Sequence, residues 1–169
     1  MARRGADGAG NSMKLASKYD VEAPVAFVYG ELVNFNAWER MAVRRGVEVS
    51  RADTLPVPGP GMEWQVAFPL RGKQRSARIR LATATPNRQL VLTITADLAD
   101  ADIVIDLLDL ATSRTRIEVR TEVKPKTLAA RIYMQTLRLA RKKIDATYAQ
   151  RIGQLAVEME DRYRRPAKR

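Results

Sequence analysis

The stretch that decides the fold runs from Lys126 to Arg162 and reads KTLAARIYMQTLRLARKKIDATYAQRIGQLAVEMEDR. It has no internal proline, and Gly153 is its one glycine. The spacing predicts one continuous helix of about 37 residues, about 55 Å long. Its apolar residues recur at steps of three or four, which places them on one face: Tyr133, Leu137, Ala140, Ile144, Tyr148, Ile152, Leu155 and Met159. A helix with one apolar stripe needs a surface on which to bury it.

The residues before this stretch supply that surface as a series of strands. Polar and apolar residues alternate along residues 13–22, a pattern typical of a half-buried strand. Pro24 then favours the first turn of a helix, and two short helices follow as far as about Met41. Short turns between successive strands favour antiparallel pairing, so we predict an α+β domain. The predicted strands cover residues 13–22, 46–53, 62–68, 73–85, 90–96, 103–111 and 117–123.

The sequence contains no Cys and no His. Their absence excludes disulfides, thiolate nucleophiles and Ser-His-Asp triads, and it removes the usual zinc and haem ligands. We therefore predict no cofactor and no metal site, and a binding protein rather than an enzyme. We expect one group of carboxylates to lie in a solvated turn and on an outer face, paired with Arg side chains: Asp97, Asp100, Asp102, Asp106 and Asp109.

Positive charge is concentrated in the C-terminal quarter of the chain. The net charge is +11, and residues 126–169 hold 12 Lys or Arg against four Asp or Glu. Such asymmetry favours an anionic partner surface, although a solvated basic face explains it equally well. No motif that recognises bases is present, so sequence-specific nucleic-acid binding is not expected. The candidate anionic-surface residues are Arg138, Arg141, Lys142, Lys143, Arg164 and Arg165.

The N-terminus lacks the features of an export signal. Residues 1–12 are rich in Gly and Ala but have no apolar core, and no apolar run in the chain approaches 18 residues. We therefore expect a cytoplasmic protein.

Four segments of turn-like sequence occur in an order that resembles the START-like, or Bet v 1-like, helix-grip proteins. This superfamily, also called SRPBCC, includes the polyketide cyclase/dehydrase and lipid-transport proteins. The segments are Glu22 to Val28, Phe35 to Met41 with its Trp38, Gly59 to Trp64, and Thr85 to Leu90. The resemblance covers residues 13–152. It implies a seven-stranded curved antiparallel sheet wrapped around a long C-terminal helix, two short helices after the first strand, and a cavity between sheet and helix that binds hydrophobic ligands.

These observations predict three segments. Residues 1–12 form a flexible tail, residues 13–152 form the START-like ligand-binding domain, and residues 153–169 form a basic helical extension. Because the predicted helix is longer than the sheet requires, we interpret Gly153 as the point where its packed part ends and a projecting part begins.

The inward-facing side chains predict a mostly apolar pocket, which suits a lipid, an isoprenoid or a polyketide-like molecule. Alternation alone does not distinguish a hollow pocket from a filled core, and Trp38 and Trp64 also serve as packing anchors in a filled one. The candidate ligand-binding residues are Tyr19, Trp38, Trp64, Val66, Phe68, Ile79, Leu92, Ile117, Tyr133, Leu137 and Ile144.

Two alternative functions stay open. One is a cyclase or dehydratase in which Tyr19, Tyr133 and Tyr148 donate hydrogen bonds to the substrate. The other is a basic module that docks on an anionic membrane, a nucleic acid or a protein partner through the C-terminal helix.

Overall fold

The computed structural model describes residues 11–165, so the predicted N-terminal tail lies outside them except for residues 11 and 12. The strands are β1 (Met13–Val21), β2 (Glu48–Arg51), β3 (Glu63–Leu70), β4 (Lys73–Thr85), β5 (Gln89–Ala96), β6 (Ala99–Ala111) and β7 (Arg114–Pro125). The helices are α1 (Val25–Leu32), α2 (Phe35–Arg44), α3 (Leu128–Leu139) and α4 (Arg141–Arg164).

All seven strands join one antiparallel sheet in the order β1-β7-β6-β5-β4-β3-β2. The sheet curves around the C-terminal helical region, so the predicted α+β helix-grip architecture is confirmed. No helix within residues 11–165 is both long and apolar enough to span a membrane.

Alternation along the strands sets which side chains enter the core. On β7, Ile117 and Val119 are buried on the concave face, whereas Arg116 faces outward and pairs with Asp20 of β1 at 2.7 Å. This hydrogen bond from Arg116 is the main reason that the pKa of Asp20 falls to about 2. The first and last strands in chain order, β1 and β7, are therefore joined by ion pairs on the outer face and by apolar packing on the inner face.

Helix α4 packs on β1 and α1 through small residues. A Cβ at Gly153 would lie 2.7 Å from Cε2 of Tyr19, and Ala156 and Met159 have no exposed surface. The ion pair between Arg162 and Glu31 of α1 fixes the end of the same helix. The interpretation of Gly153 as the end of the packed part is therefore wrong, since the helix is most deeply buried from Gly153 onward.

The predicted single helix is also wrong, because the chain leaves helical geometry at Ala140. There φ is −101° and ψ is 18°, and the Ala140 amide donates to Leu137 O at 2.9 Å, as in a tightened last turn. No proline or glycine marks the site. The two helices pack on different surfaces, α3 on β7 and α4 on β1, and Arg141 binds the Lys14 carbonyl where α4 begins.

Strand β6 begins at Ala99, four residues earlier than predicted. The acidic segment extends the strand because basic residues lie beside it: Asp102 pairs with Lys124 at 2.8 Å and Asp100 with Lys126 at 3.2 Å. Further along, Asp106 pairs with Arg120 of β7. The predicted pairing of these carboxylates with outer-face Arg side chains holds for Asp106, whereas Asp100 and Asp102 pair with lysines.

The close approach of Tyr19 to Gly153 predicts that alanine substitution has opposite effects on stability at Gly30 and Gly153. Gly30, in α1, has open space where a Cβ would be, so Gly30→Ala should raise the free energy of unfolding by about 0.5–1 kcal/mol through helix propensity. Gly153→Ala should lower it by about 1 kcal/mol, because the new methyl group displaces the Tyr19 ring.

Urea unfolding of both variants, and of Gly153→Ala in a Tyr19→Ala background, measures these values. The loss of stability caused by Gly153→Ala should disappear when the Tyr19 ring is absent. An equal gain from both alanines would contradict the proposed contact.

Candidate ligand-binding site

A cavity of about 440 Å³ lies on the concave side of the sheet, at the end that holds the turns of the β3–β4 and β5–β6 hairpins. Its walls come from β3, β4, β5, β6, β7 and the β5–β6 turn. The lining residues are Val66, Phe68, Leu70, Gln74, Arg75, Ser76, Ala77, Ile79, Ile94, Ala96, Asp97, Leu98, Ala99, Asp100, Ala101 and Val123.

Small side chains on neighbouring strands create this space. Ala77 of β4 lies directly opposite Ala96 of β5, and Ala101 of β6 lies opposite Val123 of β7. Where larger residues occupy the same concave face, as at Leu81 and Ile117, the interior is filled and those side chains are fully buried. The cavity therefore begins where alanine replaces leucine and isoleucine along the inner face.

The β3–β4 hairpin forms one border of the cavity. Its two-residue turn, Arg71 and Gly72, has φ values of 53° and 74°, the left-handed conformations that a tight antiparallel hairpin requires. This turn fixes the register that places Phe68 opposite Arg75. A large apolar ring and a guanidinium group therefore lie side by side at the cavity wall.

Arg75 is the one basic side chain among the lining residues. It shares the inward face of β4 with Ala77 and Ile79, and its Nε is buried without a hydrogen-bond partner among the described residues. Burying a guanidinium N–H without a partner is unfavourable, because the donor loses water and gains no acceptor. The site thus holds an unsatisfied donor beside an apolar wall.

Two carboxylates stand at the rim on the β5–β6 side. Asp100 is neutralised by the ammonium group of Lys126 at 3.2 Å, and Asp97 is exposed in the turn. Neither forms an ion pair with Arg75. The positive charge of Arg75 therefore has no carboxylate partner among the described residues.

Helix α3 runs between the two turns that border the cavity. Just before it begins, the Lys126 amide donates to Leu98 O at 2.8 Å, and Lys126 Nζ donates to Ala96 O at 2.9 Å. In its second turn, Tyr133 lies under the Arg71 guanidinium, 3.8 Å from ring centroid to Cζ. Contacts at both turns hold α3 beside the mouth of the cavity.

Three of the predicted ligand-binding residues, Val66, Phe68 and Ile79, line this cavity. Four of the others lie in or against the packed core instead: Trp38, Trp64, Leu92 and Ile117. Trp64 is 6% exposed and donates to Glu39 Oε1 at 2.7 Å, and Trp38 donates to Leu32 O at 3.0 Å. Both indoles are therefore held as anchors between the sheet and the first two helices.

The other predicted ligand-binding residues do not line the cavity: Tyr19, Tyr133, Leu137 and Ile144. Tyr19 is 43% exposed beside Gly153, and Tyr133 is 37% exposed beneath Arg71. Leu137 and Ile144 are half-buried on either side of the helix break. The helices do not wall the cavity in the way the sequence predicted, since its lining residues all come from the strands and the β5–β6 turn.

Tyr148 reaches the concave face of β7 without lining the cavity. Its hydroxyl and that of Thr121 are 2.9 Å apart, and burial raises the pKa of the phenol, an effect that the Thr121 hydrogen bond partly opposes. All five tyrosines are among the described residues, and none is in the cavity lining.

The six predicted anionic-surface residues differ in their contacts within the protein. Arg141 binds Asp145 at 2.9 Å as well as the Lys14 carbonyl, and Arg164 is 3.5 Å from Glu160. Arg138, Lys142, Lys143 and Arg165 are exposed. Arg141 and Arg164 thus have structural roles within or beside α4.

Sequence reasoning missed Arg75 and the alanines. The alternation along β4 that placed Ile79 on the inward face places Arg75 there as well. An arginine at an inward position of a strand was therefore a usable signal. The alanines carry no such signal, because an inward alanine occurs equally in a filled core.

Comparison with solved structures shows the fold. The chain is similar to the ZhuI aromatase/cyclase from Streptomyces sp. R1128, with a TM-score of 0.60 and 16% identity over 90% of this chain and 96% of that one. It is similar to norcoclaurine synthase from Thalictrum flavum, with a TM-score of 0.59 and 12% identity over 87% and 95% of the two chains. Ara h 8.0201 gives a TM-score of 0.54 and 13% identity over 82% and 98%.

The chain therefore has the helix-grip fold of the START-like, or Bet v 1-like, proteins, as its sequence predicted. No protein-family model matches the sequence, and no curated protein matches it.

The unsatisfied Nε of Arg75 predicts a gain in stability when the arginine is removed. Arg75→Met keeps the aliphatic part of the side chain and should raise the free energy of unfolding of the ligand-free protein by about 1 kcal/mol. Arg80→Met is the matched control, because Arg80 is exposed on the opposite face of the same strand. It should change stability by less than about 0.5 kcal/mol.

Urea unfolding curves provide both values. A loss of stability in Arg75→Met would show that the guanidinium is well paired in the folded protein and would contradict the description of the site.

Proposed function

We propose that this protein binds a hydrophobic small molecule that carries an acidic group, in the cavity bounded by the two hairpins. The observation that supports this most directly is the buried, unpartnered Nε of Arg75 within an otherwise mostly apolar wall. Pockets for small molecules commonly combine apolar lining with a few placed polar groups that fix orientation. A volume of about 440 Å³ falls within the usual range for such pockets.

The apolar wall and Arg75 would recognise different parts of one ligand. Phe68, Ile79 and Val123 offer surface to a ring system or an acyl chain. The guanidinium group would donate charge-assisted hydrogen bonds to a carboxylate, phosphate, sulfonate or phenolate oxygen of the ligand. The ligand classes that fit include acidic lipids, isoprenoid acids and polyketide-like phenols.

The solved structures of similar fold support a small-molecule role in general terms. One of them is an aromatase/cyclase, and another is a norcoclaurine synthase in complex with a transition-state analogue. At 12–16% identity these similarities show the fold alone. The support for a particular kind of ligand comes from the residues of this chain. Binding is favoured over tyrosine-based cyclisation because none of the five tyrosines lines the cavity.

A pair of fluorescent probes tests the acidic-group requirement. The sulfonated probe 1-anilinonaphthalene-8-sulfonate and the neutral probe N-phenyl-1-naphthylamine share an aromatic body and differ by the anion. Arg75→Met should weaken binding of the sulfonated probe about tenfold, the equivalent of one charge-assisted hydrogen bond, and leave the neutral probe unchanged. Arg80→Met should affect neither probe.

A second substitution tests the location of the site. Ala77→Leu adds three carbon atoms to the wall of the cavity and should weaken both probes about tenfold. Ala82→Leu, on the exposed face of the same strand, should leave both unchanged. Equal affinity of the wild type and Ala77→Leu for both probes would place binding elsewhere and overturn the proposal.

A further inference from the structure

Helix α3 exposes a second apolar face that nothing in the described chain covers. Leu128, Ile132 and Leu139 are 72%, 58% and 91% exposed, and we refer to these three side chains as the α3 stripe. Their spacing of four and seven residues places them in one line along the helix. Single exposed leucines are ordinary on protein surfaces, but an aligned set on one helix is typical of an interaction surface.

The packed face of α3 lies on the opposite side. Met134 is 7% exposed, Leu137 is half-buried, and Tyr133 is stacked beneath Arg71. The helix therefore has apolar residues on two faces and buries only one of them against the domain. The α3 stripe is left for a partner outside the chain.

The charges around the α3 stripe select the kind of partner. Helix α3 carries Arg131 and Arg138 and no acidic residue. Lys142 and Lys143 follow immediately at the start of α4, and both are exposed. Apolar residues flanked by Lys and Arg are typical of helices that lie in the interface of an anionic lipid bilayer.

Other partners fit this combination less well. A second copy of the chain, paired stripe to stripe, would bring its basic residues close to those of the first copy and so oppose association. A nucleic acid would match the charge but would gain nothing from the leucines. We infer that the α3 stripe and its flanking basic residues dock this protein on the surface of an anionic membrane.

Docking in this orientation would place the cavity beside the lipid. Helix α3 is held at one end by the Lys126 contacts with Ala96 and Leu98, and at its second turn by Arg71. These contacts lie in or beside the two turns that border the cavity mouth. A hydrophobic ligand would then pass between the bilayer and the cavity with little exposure to water. This last step rests on the proposed function of the cavity.

Vesicle flotation with the full chain tests the docking. Vesicles of phosphatidylcholine containing phosphatidylglycerol should bind the wild type, vesicles of phosphatidylcholine alone should bind it weakly, and high salt should weaken the binding. The combined variant Leu128→Ser, Ile132→Ser, Leu139→Ser should bind the anionic vesicles about tenfold more weakly, because it loses the apolar contact. The control variant Val43→Ser, Leu55→Ser, Val57→Ser changes three exposed apolar residues elsewhere and should bind like the wild type.

Three results would overturn the inference. One is binding of the stripe variant equal to that of the wild type, and another is no binding of the wild type to anionic vesicles. The third is a dimer, seen by light scattering, that dissociates in the stripe variant, since this would assign the α3 stripe to a second copy. Circular dichroism verifies that the stripe variant is folded, and its probe binding should be unchanged, which separates failure of docking from failure of ligand binding.

Discussion

The contact between α4 and β1 at Gly153 is the constraint on which the rest of the structure depends. The Tyr19 ring lies so close to the helix backbone that a Cβ at position 153 would be 2.7 Å from it. This approach lets Ala156 and Met159 enter the core beside Val21 and Val28 with no exposed surface. A larger residue at 153 would hold the helix away from the sheet and open this end of the core.

The position of α4 in turn explains the path of the chain before it. Helix α4 packs along β1, whereas the residues before it, in α3, pack on β7. The chain changes direction at Ala140, and Arg141 binds the Lys14 carbonyl at the start of the new direction. Helix α3 then lies beside the hairpin turns, with one apolar face packed and the other exposed.

The candidate cavity lies at the end of the sheet that α4 does not fill. Toward Ile117 and Leu81 the concave face is packed, whereas toward Ala77 and Ala96 it is hollow. Arg75 lies in the hollow part with an unsatisfied donor, which costs stability in the absence of a ligand. This unsatisfied donor beside an apolar wall is the feature from which ligand recognition in the cavity is proposed.

The sequence by itself determined the order of the elements and the inward and outward faces of the strands, because these follow from local chemistry with periods of two and 3.6 residues. The helix-grip architecture came from the resemblance of its turn segments to those of START-like proteins. It also placed Val66, Phe68 and Ile79 on the concave face, where they line the cavity. Only the tertiary structure decided that the predicted single helix is divided at Ala140, that Gly153 is buried and that Trp64 belongs to the core. Periodicity states which way a side chain points, but what it meets there depends on residues that are distant in sequence and are brought together only when the sheet curves and the helices pack on it.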